Sequence, residues 1–296
     1  MASTQPERAL MTASEAQAYC TTLTKRSGSN FYYSFLFLSR PRREAMYTVY
    51  AFCREVDSAV DDAPPGSDPA EALARWRAEL EAVYKGTPIL PVSISLAAHA
   101  RRFDIPCSYF EDLISGVEMD LTTFRYRTFD DLYPYCYRVA SVVGLICLKV
   151  FGTRSLLAHD YAENLGVAFQ LTNILRDLRS DADKGRIYLP LEDLDRFGYR
   201  QEDLLKGMYS PPFIALMKFQ CARARAYYEK AREAFMALPD GDRRALTVAE
   251  IMRGVYARIL DRIERSEYRV LDARVSLPSS QRLAIAAGVW LRSRLF

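Results

Sequence analysis

Carboxylates spaced four apart inside otherwise apolar stretches constrain this chain most. REVDSAVDDA carries Asp57, Asp61 and Asp62, and NILRDLRSD, about 120 positions later, carries Asp177 and Asp181. Residues i and i+4 share one face of a helix, and like charges stacked there repel. The second cluster extends backwards, so that Gln170, Asn173, Asp177 and Asp181 form one polar stripe stepping by 3, 4 and 4. Around the stripes lie Val49, Phe52, Val56 and Val60 in one segment and Ala168, Phe169, Leu171, Ile174 and Leu175 in the other. An isolated acidic pair is ordinarily a solvated helix face, but carboxylates set among apolar residues turn inwards, where a charge needs a partner. Carboxylate and amide oxygens suit a hard cation such as Mg²⁺, which binds one or two carboxylates together with waters and substrate phosphates. Two such stripes on facing helices predict a site gripping a diphosphate through several magnesium ions.

The rest of the chain is helical in pattern. Pro41–Asp62 opens after Ser39 as N-cap, and Pro69–Lys85 closes at Gly86. Helices are expected over Pro91–Phe103, Cys107–Thr122, Asp130–Phe151 and Ser155–Leu178, then a loop holding Lys184, Gly185, Arg186, Tyr188 and Pro190. Pro211–Leu238, Asp242–Leu271 and Gln281–Arg292 complete the set. No segment keeps a period of two for long, and FYYSFLFL (Phe31–Leu38) reads as helical or as an irregular core wall. No linker divides the chain. The expectation is one all-α domain over residues 1–296, with 1–12 flexible.

Composition excludes several functions. Net charge is +3 over 296 residues, without the concentrated basic excess of a nucleic-acid binder. The six cysteines stand at irregular spacings without a CxxC pair and read as reduced thiols of an intracellular protein. His99 and His159, the two histidines, have no ligand-like spacing, which argues against a zinc site or a histidine-based triad. MASTQPERALMTASEA is polar and predicts no secretory leader. The apolar runs SVVGLICLKVFG and LAIAAGVWL fall short of a bilayer span of roughly 20 residues. Nineteen tyrosines and fifteen phenylalanines exceed what the acidic site alone requires. Most are core packing, but some, Phe31 and Tyr50 among them, can line a chamber and offer ring faces to a cation.

These residues carry a family resemblance. YAFCREVDSAVDD, YCYRVASVVG and LGVAFQLTNILRDLRSDADKGRIYLP resemble, in order and spacing, the signature blocks of the squalene/phytoene synthase family of head-to-head prenyl transferases. The likeness runs over about residues 25–275 and implies an isoprenoid synthase fold around a central apolar cavity. It implies that Asp57 and Asp61 form the first aspartate motif and that Asn173, Asp177 and Asp181 form the second, all as magnesium ligands. Arg54 and Arg176 then match diphosphate-binding arginines, and Gln170 a polar cavity residue. Tyr50, Tyr135 and Tyr256 match tyrosines near the diphosphates, Arg274 a basic residue from the last part of the chain, and Phe31 a substrate-contacting ring. One departure stands at Ser58 and Ala59, in the interior of the first motif, where the family resemblance implies a second acid beside Asp57.

Within the family, SGSNFYYSFLFLSRPRREAMYTVYAFCREVD resembles the hopanoid-pathway presqualene diphosphate synthases. That likeness implies 1'-2-3 condensation of two farnesyl diphosphates, dependent on magnesium and independent of NADPH, with Tyr50 or the released diphosphate as base. It also implies a cytoplasmic enzyme, with room for peripheral contact at an inner membrane and for downstream pathway enzymes as partners. Squalene, dehydrosqualene and phytoene synthases share every motif quoted. A chain-elongating transferase or terpene cyclase would show DDxxD where this chain has DSAVDD. A scaffold subunit of the same fold would be expected to have lost the acids.

Overall fold

The computed structural model describes residues 11–29, 31–64 and 66–295. Helices α1 (Ala13–Arg26), α2 (Tyr32–Phe35), α3 (Arg40–Asp61), α4 (Pro69–Lys85), α5 (Pro91–Arg102) and α6 (Cys107–Glu118) form the first half. A 3₁₀ turn at Met119–Leu121 leads to α7 (Phe129–Cys136), a π turn at Tyr137–Ser141, α8 (Val142–Phe151) and α9 (Leu157–Asp183). Then come α10 (Leu191–Arg196), α11 (Gln201–Leu205), α12 (Pro211–Met236), α13 (Asp240–Ala245), α14 (Thr247–Arg265) and α15 (Ser279–Leu295). A single bridge between Arg125 and Ile187 is the one strand-like contact among the described residues. The architecture is all-α.

Local chemistry sets the helix ends. Pro41 and Pro69 occupy first turns, where a missing N–H costs nothing. Asp68 caps α4 by accepting from the Ala70 N–H at 2.9 Å. Gly86 and Gly152 close α4 and α8 at φ +88° and +78°, backbone that side chains with a Cβ avoid.

Helix α9, about 40 Å long, is the hub. It packs on α12, α8, α14 and the π turn. A Cβ added at Gly166 would lie 2.4 Å from the Ser141 Cα, and one at Gly144 would lie 2.9 Å from the Ala162 carbonyl oxygen. The three segments therefore touch backbone to backbone. Pro134, inside α7, lacks an N–H and crowds the carbonyl four residues back. The ladder widens to i→i+5 just beyond it, where the π turn begins.

Several sequence expectations need correction. The helix expected over 130–151 is interrupted by the π turn, and that over 242–271 splits after Ala245 and stops at Arg265, before Glu267 and Tyr268 at φ +53° and +64°. Helix α1 was not anticipated because its buried stripe, Ala16, Cys20 and Thr24, contains no large apolar side chain. Of the lead-in expected to be flexible, residues 1–10 lie outside the described residues. Thr12 is fixed: its hydroxyl accepts from the Glu15 N–H, and the Glu15 carboxylate accepts from the Thr12 N–H at 2.8 Å. Phe129–Phe151 is the one helical stretch among the described residues long and apolar enough to cross a membrane, but α8 within it packs inside against α6 and α9. FYYSFLFL forms the short α2 and a wall of the core. All six cysteines are free thiols, and His99 is a core residue bonded to Gln17 at 2.7 Å.

The glycine contacts make a paired prediction. Gly166→Ala should lower stability by about 1–3 kcal/mol, because backbone cannot yield to the added methyl. Gly288→Ala on α15, where a Cβ meets nothing within 4 Å, should instead raise it by about 0.5–1 kcal/mol through helix propensity. Denaturant unfolding of both variants checks the signs; equal effects would remove the close contact from the account.

Candidate functional site

A cavity of about 450 Å³ opens between α3, α9 and α14. Helix α3 contributes Tyr50, Arg54 and Asp57, and α9 contributes Gln170, Asn173 and Arg176. Phe31, Tyr135, Tyr256 and Arg274 complete the part of its lining foreseen in the sequence. Asp61, Asp177 and Asp181 stand further along the same helices, next to that lining. Inwards the cavity meets an apolar pocket of about 190 Å³ that shares Phe31, Tyr50, Gln170 and Asn173 and ends among Gly144, Ala162, Gly166, Ala249 and Met252.

Each acid on these walls has a distinct electrostatic setting. Asp177 is gripped twice: Arg176 donates through Nε at 2.9 Å and Nη2 at 2.5 Å, and Arg274 through Nε at 2.7 Å and Nη2 at 3.2 Å. Burial alone would raise its pKa, but the two guanidiniums outweigh it and hold the carboxyl below the usual range. Asp61 likewise accepts from Lys184 Nζ at 2.8 Å and Arg186 Nη1 at 2.6 Å, which overcome its burial and lower its pKa. Asp57 has a weaker partner in Arg54 at 3.3 Å. Burial, with repulsion from Asp61, pushes it up to about 6, although the side chain still keeps 47% of its exposure to the cavity. Burial and the charge of Asp177 push Asp181 up to about 7. Asp62 faces outwards and steadies Arg54 at 3.0 Å, with Ser58 Oγ also 3.0 Å away. Ser58 thus acts on Asp62 rather than on the cavity.

Asn173 supplies the test for a cation. Its Nδ2 donates to Gln170 Oε1 at 3.2 Å, while its Oδ1 is buried with no hydrogen-bond partner. A buried carbonyl oxygen without a donor is costly and fits a hard cation on the polar stripe it shares with Asp177 and Asp181. Among the described residues, no three Asp, Glu, His or Cys side chains converge as a ready-made cage. The donor set therefore fits ions completed by ligand oxygens rather than one held by protein alone.

Aromatic rings form the inner wall. Tyr256 packs against both Phe31 (5.4 Å, 14°) and Phe169 (4.4 Å, 27°), which lie 6.4 Å from each other in a three-ring cluster, and its hydroxyl lies against the Arg176 guanidinium. Tyr135 enters differently from the expectation. Its hydroxyl donates to Asp120 Oδ2 at 3.1 Å, while the Tyr188 hydroxyl donates to Asp120 Oδ1 at 2.6 Å. The two rings stack at 5.1 Å. Asp120 lines the cavity and was missed, as were Lys184 and Arg186 as partners of Asp61. The readable signal was an acid in the mostly apolar stretch ISGVEMDL, just past the end of α6 in the 3₁₀ turn. The lysine and arginine were seen only as loop residues, because no sequence period links them to position 61.

Comparison with known proteins agrees with this geometry. The pattern of the squalene/phytoene synthase family matches residues 24–281. A phytoene synthase of Arthrospira platensis is 38% identical, covering 96% of this chain and 95% of its own. A solved dehydrosqualene synthase in complex with ligand superposes at a TM-score of 0.84 with 28% identity, over 96% of this chain and 98% of its own. The squalene synthase HpnC from Alicyclobacillus acidocaldarius superposes at 0.78, also 28% identical, over 86% and 95%. The expected special closeness to hopanoid-pathway enzymes finds no support, since the curated relatives at 33–38% identity are phytoene synthases. The all-α isoprenoid synthase fold holds, and the chain belongs to the squalene/phytoene synthase family.

Proposed function

We propose that the chain joins two prenyl diphosphates head to head and is a phytoene synthase, using two C20 geranylgeranyl diphosphates. The carrying observation is the pair of acid-bearing helices, α3 and α9, across a cavity that runs on into an apolar pocket. Phytoene synthases matching nearly the whole chain favour this product over the presqualene diphosphate expected from the motifs alone. Farnesyl diphosphate becomes the alternative substrate. One catalytic domain is proposed for the chain, supported by a hydrophobic core continuous from Cys20 to Leu277. A cytoplasmic location with peripheral membrane contact is proposed with it.

Magnesium ions held by Asp57, Asp61, Asn173, Asp177 and Asp181 would supply charge neutralisation to the departing diphosphate. The protein's own part is orientation and exclusion. Arg54, Arg176 and Arg274, now turned to carboxylates, can donate charge-assisted hydrogen bonds to phosphate oxygens. The donor's C1–O bond breaks, its electron pair leaving on diphosphate, and the acceptor's 2,3-double bond attacks C1. Proton loss, to the released diphosphate or to Tyr50, closes a cyclopropane. The second diphosphate then leaves, and a further proton loss gives the C40 hydrocarbon, so no hydride donor such as NADPH is needed. Phe31, Tyr256 and Phe169 present ring faces along the cation's path, while Val139, Val143, Leu165 and Met252 line the water-poor inner pocket.

Product analysis with C15 and C20 diphosphates, with and without NADPH, decides the reading. A C40 hydrocarbon from the C20 substrate without NADPH is expected. A C30 diphosphate from the C15 substrate would restore the presqualene assignment, and squalene formed only with NADPH would make the chain a squalene synthase. Asp57→Asn and Asp177→Asn should each lower kcat by about 100-fold or more with unchanged helical circular dichroism; turnover near the unsubstituted level would remove that acid from the mechanism. Chelation of divalent metal should abolish turnover yet leave the thermal midpoint in place, because arginine and lysine already pair with Asp61 and Asp177. A midpoint that falls on chelation would show that metal, not these ion pairs, holds the walls together.

A further inference from the structure

Helix α15 breaks the rule for a surface helix. Its inward side packs on α14, where a Cβ at Gly254 would lie 2.9 Å from Ile285 and 3.8 Å from Val289. The opposite face should then carry the charged residues. Instead it carries Leu283, Ala284, Ala287 and Leu291, with Leu283 and Leu291 at 44% and 57% exposure. The 17 residues of α15 contain no Asp, Glu or Lys.

The charge of this last segment of the chain has one sign. Residues 273–296 hold Arg274, Arg282, Arg292 and Arg294 and no acid, a formal +4 against +3 for the whole chain. Beside the face, a groove of about 810 Å³ between α14 and α15 is lined by Arg258, Arg262, Arg265 and Ala284. Asp261 and Glu264, acids on α14 close in sequence to the groove arginines, are drawn towards α12, where Arg225 reaches both at 2.9 and 2.5 Å. Arg282 lines the main cavity and donates to the Gly28 carbonyl at 3.1 Å, so the apolar face borders the cavity mouth.

We propose that α15 and the arginine groove form an interfacial membrane-docking face that lays Leu283 and Leu291 into an anionic bilayer beside the cavity mouth. An apolar helix face with cationic flanks binds in this way, and anionic headgroups reward each nearby arginine. A second copy of the chain would bring like charge against like charge. The proposal deepens the membrane contact suggested above and rests on the prenyl reading only for its purpose, which is to pass an apolar chain between cavity and lipid. Vesicle binding needs no turnover, so it can fail while the product assignment stands, and the reverse.

The test is co-sedimentation of the full chain with vesicles of phosphatidylcholine alone and of equal phosphatidylcholine and phosphatidylglycerol. Binding is expected to the second and not the first, and to weaken as salt rises. The exposed pair L283E/L291E should reduce it by about tenfold or more, with unchanged circular dichroism and unchanged turnover in detergent. R258Q/R262Q/R265Q should reduce it by about fivefold per arginine and flatten the salt dependence, an independent readout should the leucine variant misfold. No binding to the mixed vesicles, or binding untouched by either variant, overturns the proposal. So does a solution dimer that L283E/L291E dissociates, which would give the face to a second copy.

Discussion

Neutralising acids on an apolar wall is the constraint from which the rest of this structure follows. Carboxylates at the edge of a chamber whose inner end is Gly144, Ala162 and Met252 cannot remain ionised without partners. The chain answers by bringing cations from distant segments: Lys184 and Arg186 from the α9–α10 loop to Asp61, and Arg274 from the stretch before α15 to Asp177. Removing one partner from such a pair leaves a stranded charge, which costs far more than the pair contributes. The ion pairs therefore act as staples, fixing two non-helical connections against two helices. On the proposed reading they also set up an exchange. A ligand bringing its own cations and phosphate oxygens offers the carboxylates metal and the guanidiniums anion, so both halves of each pair gain a new partner at once.

That exchange works only if α3 and α9 stay at the right separation, which is a matter of backbone contact. Gly166 against Ser141 and Gly144 against Ala162 let the π turn and α8 press onto α9, while Phe169, Tyr256 and Phe31 stack across the other side. The π turn has a direct consequence for the cavity. Its extra residue shifts the register of Tyr137–Ser141, and Val139 ends up lining both the polar cavity and the apolar pocket. Rigid helices, not loops, thus place most of the polar wall, and loop residues Lys184, Arg186 and Arg274 join the helical Arg54 and Arg176 in countering it.

How much of this could be read beforehand depended on whether the information was local. The stripe of Gln170, Asn173, Asp177 and Asp181 was legible because helical spacing places all four on one face whatever the tertiary structure does. The apolar neighbours showed that this face turns inwards. Nothing local announced that Lys184 and Arg186 would reach residue 61, more than 120 positions away. Nor could spacing reveal that the Tyr135 hydroxyl is spent on Asp120 instead of standing free in the cavity. Helix α1 stayed hidden because a stripe of Ala16, Cys20 and Thr24 buries too little apolar area to stand out. The split at Ala245 and the stop at Arg265 were hidden for the opposite reason, since helical periodicity runs on through both.

Product identity was illegible for a deeper reason. On the proposed reading the acids, the arginines and the aromatic wall serve the first step, ionisation, which presqualene diphosphate, squalene and phytoene synthesis all share. What separates those outcomes is where the cyclopropyl intermediate goes next and how long a tail the inner pocket admits. On the proposed reading both depend on the volume left by residues such as Ala140, Gly144, Ala162 and Ala249, small side chains that leave space without presenting chemistry. A motif records atoms that must be present, whereas a pocket is made of atoms that are missing. The polar stripes therefore identify the reaction class, and the silent residues beneath them decide which member of the class this is.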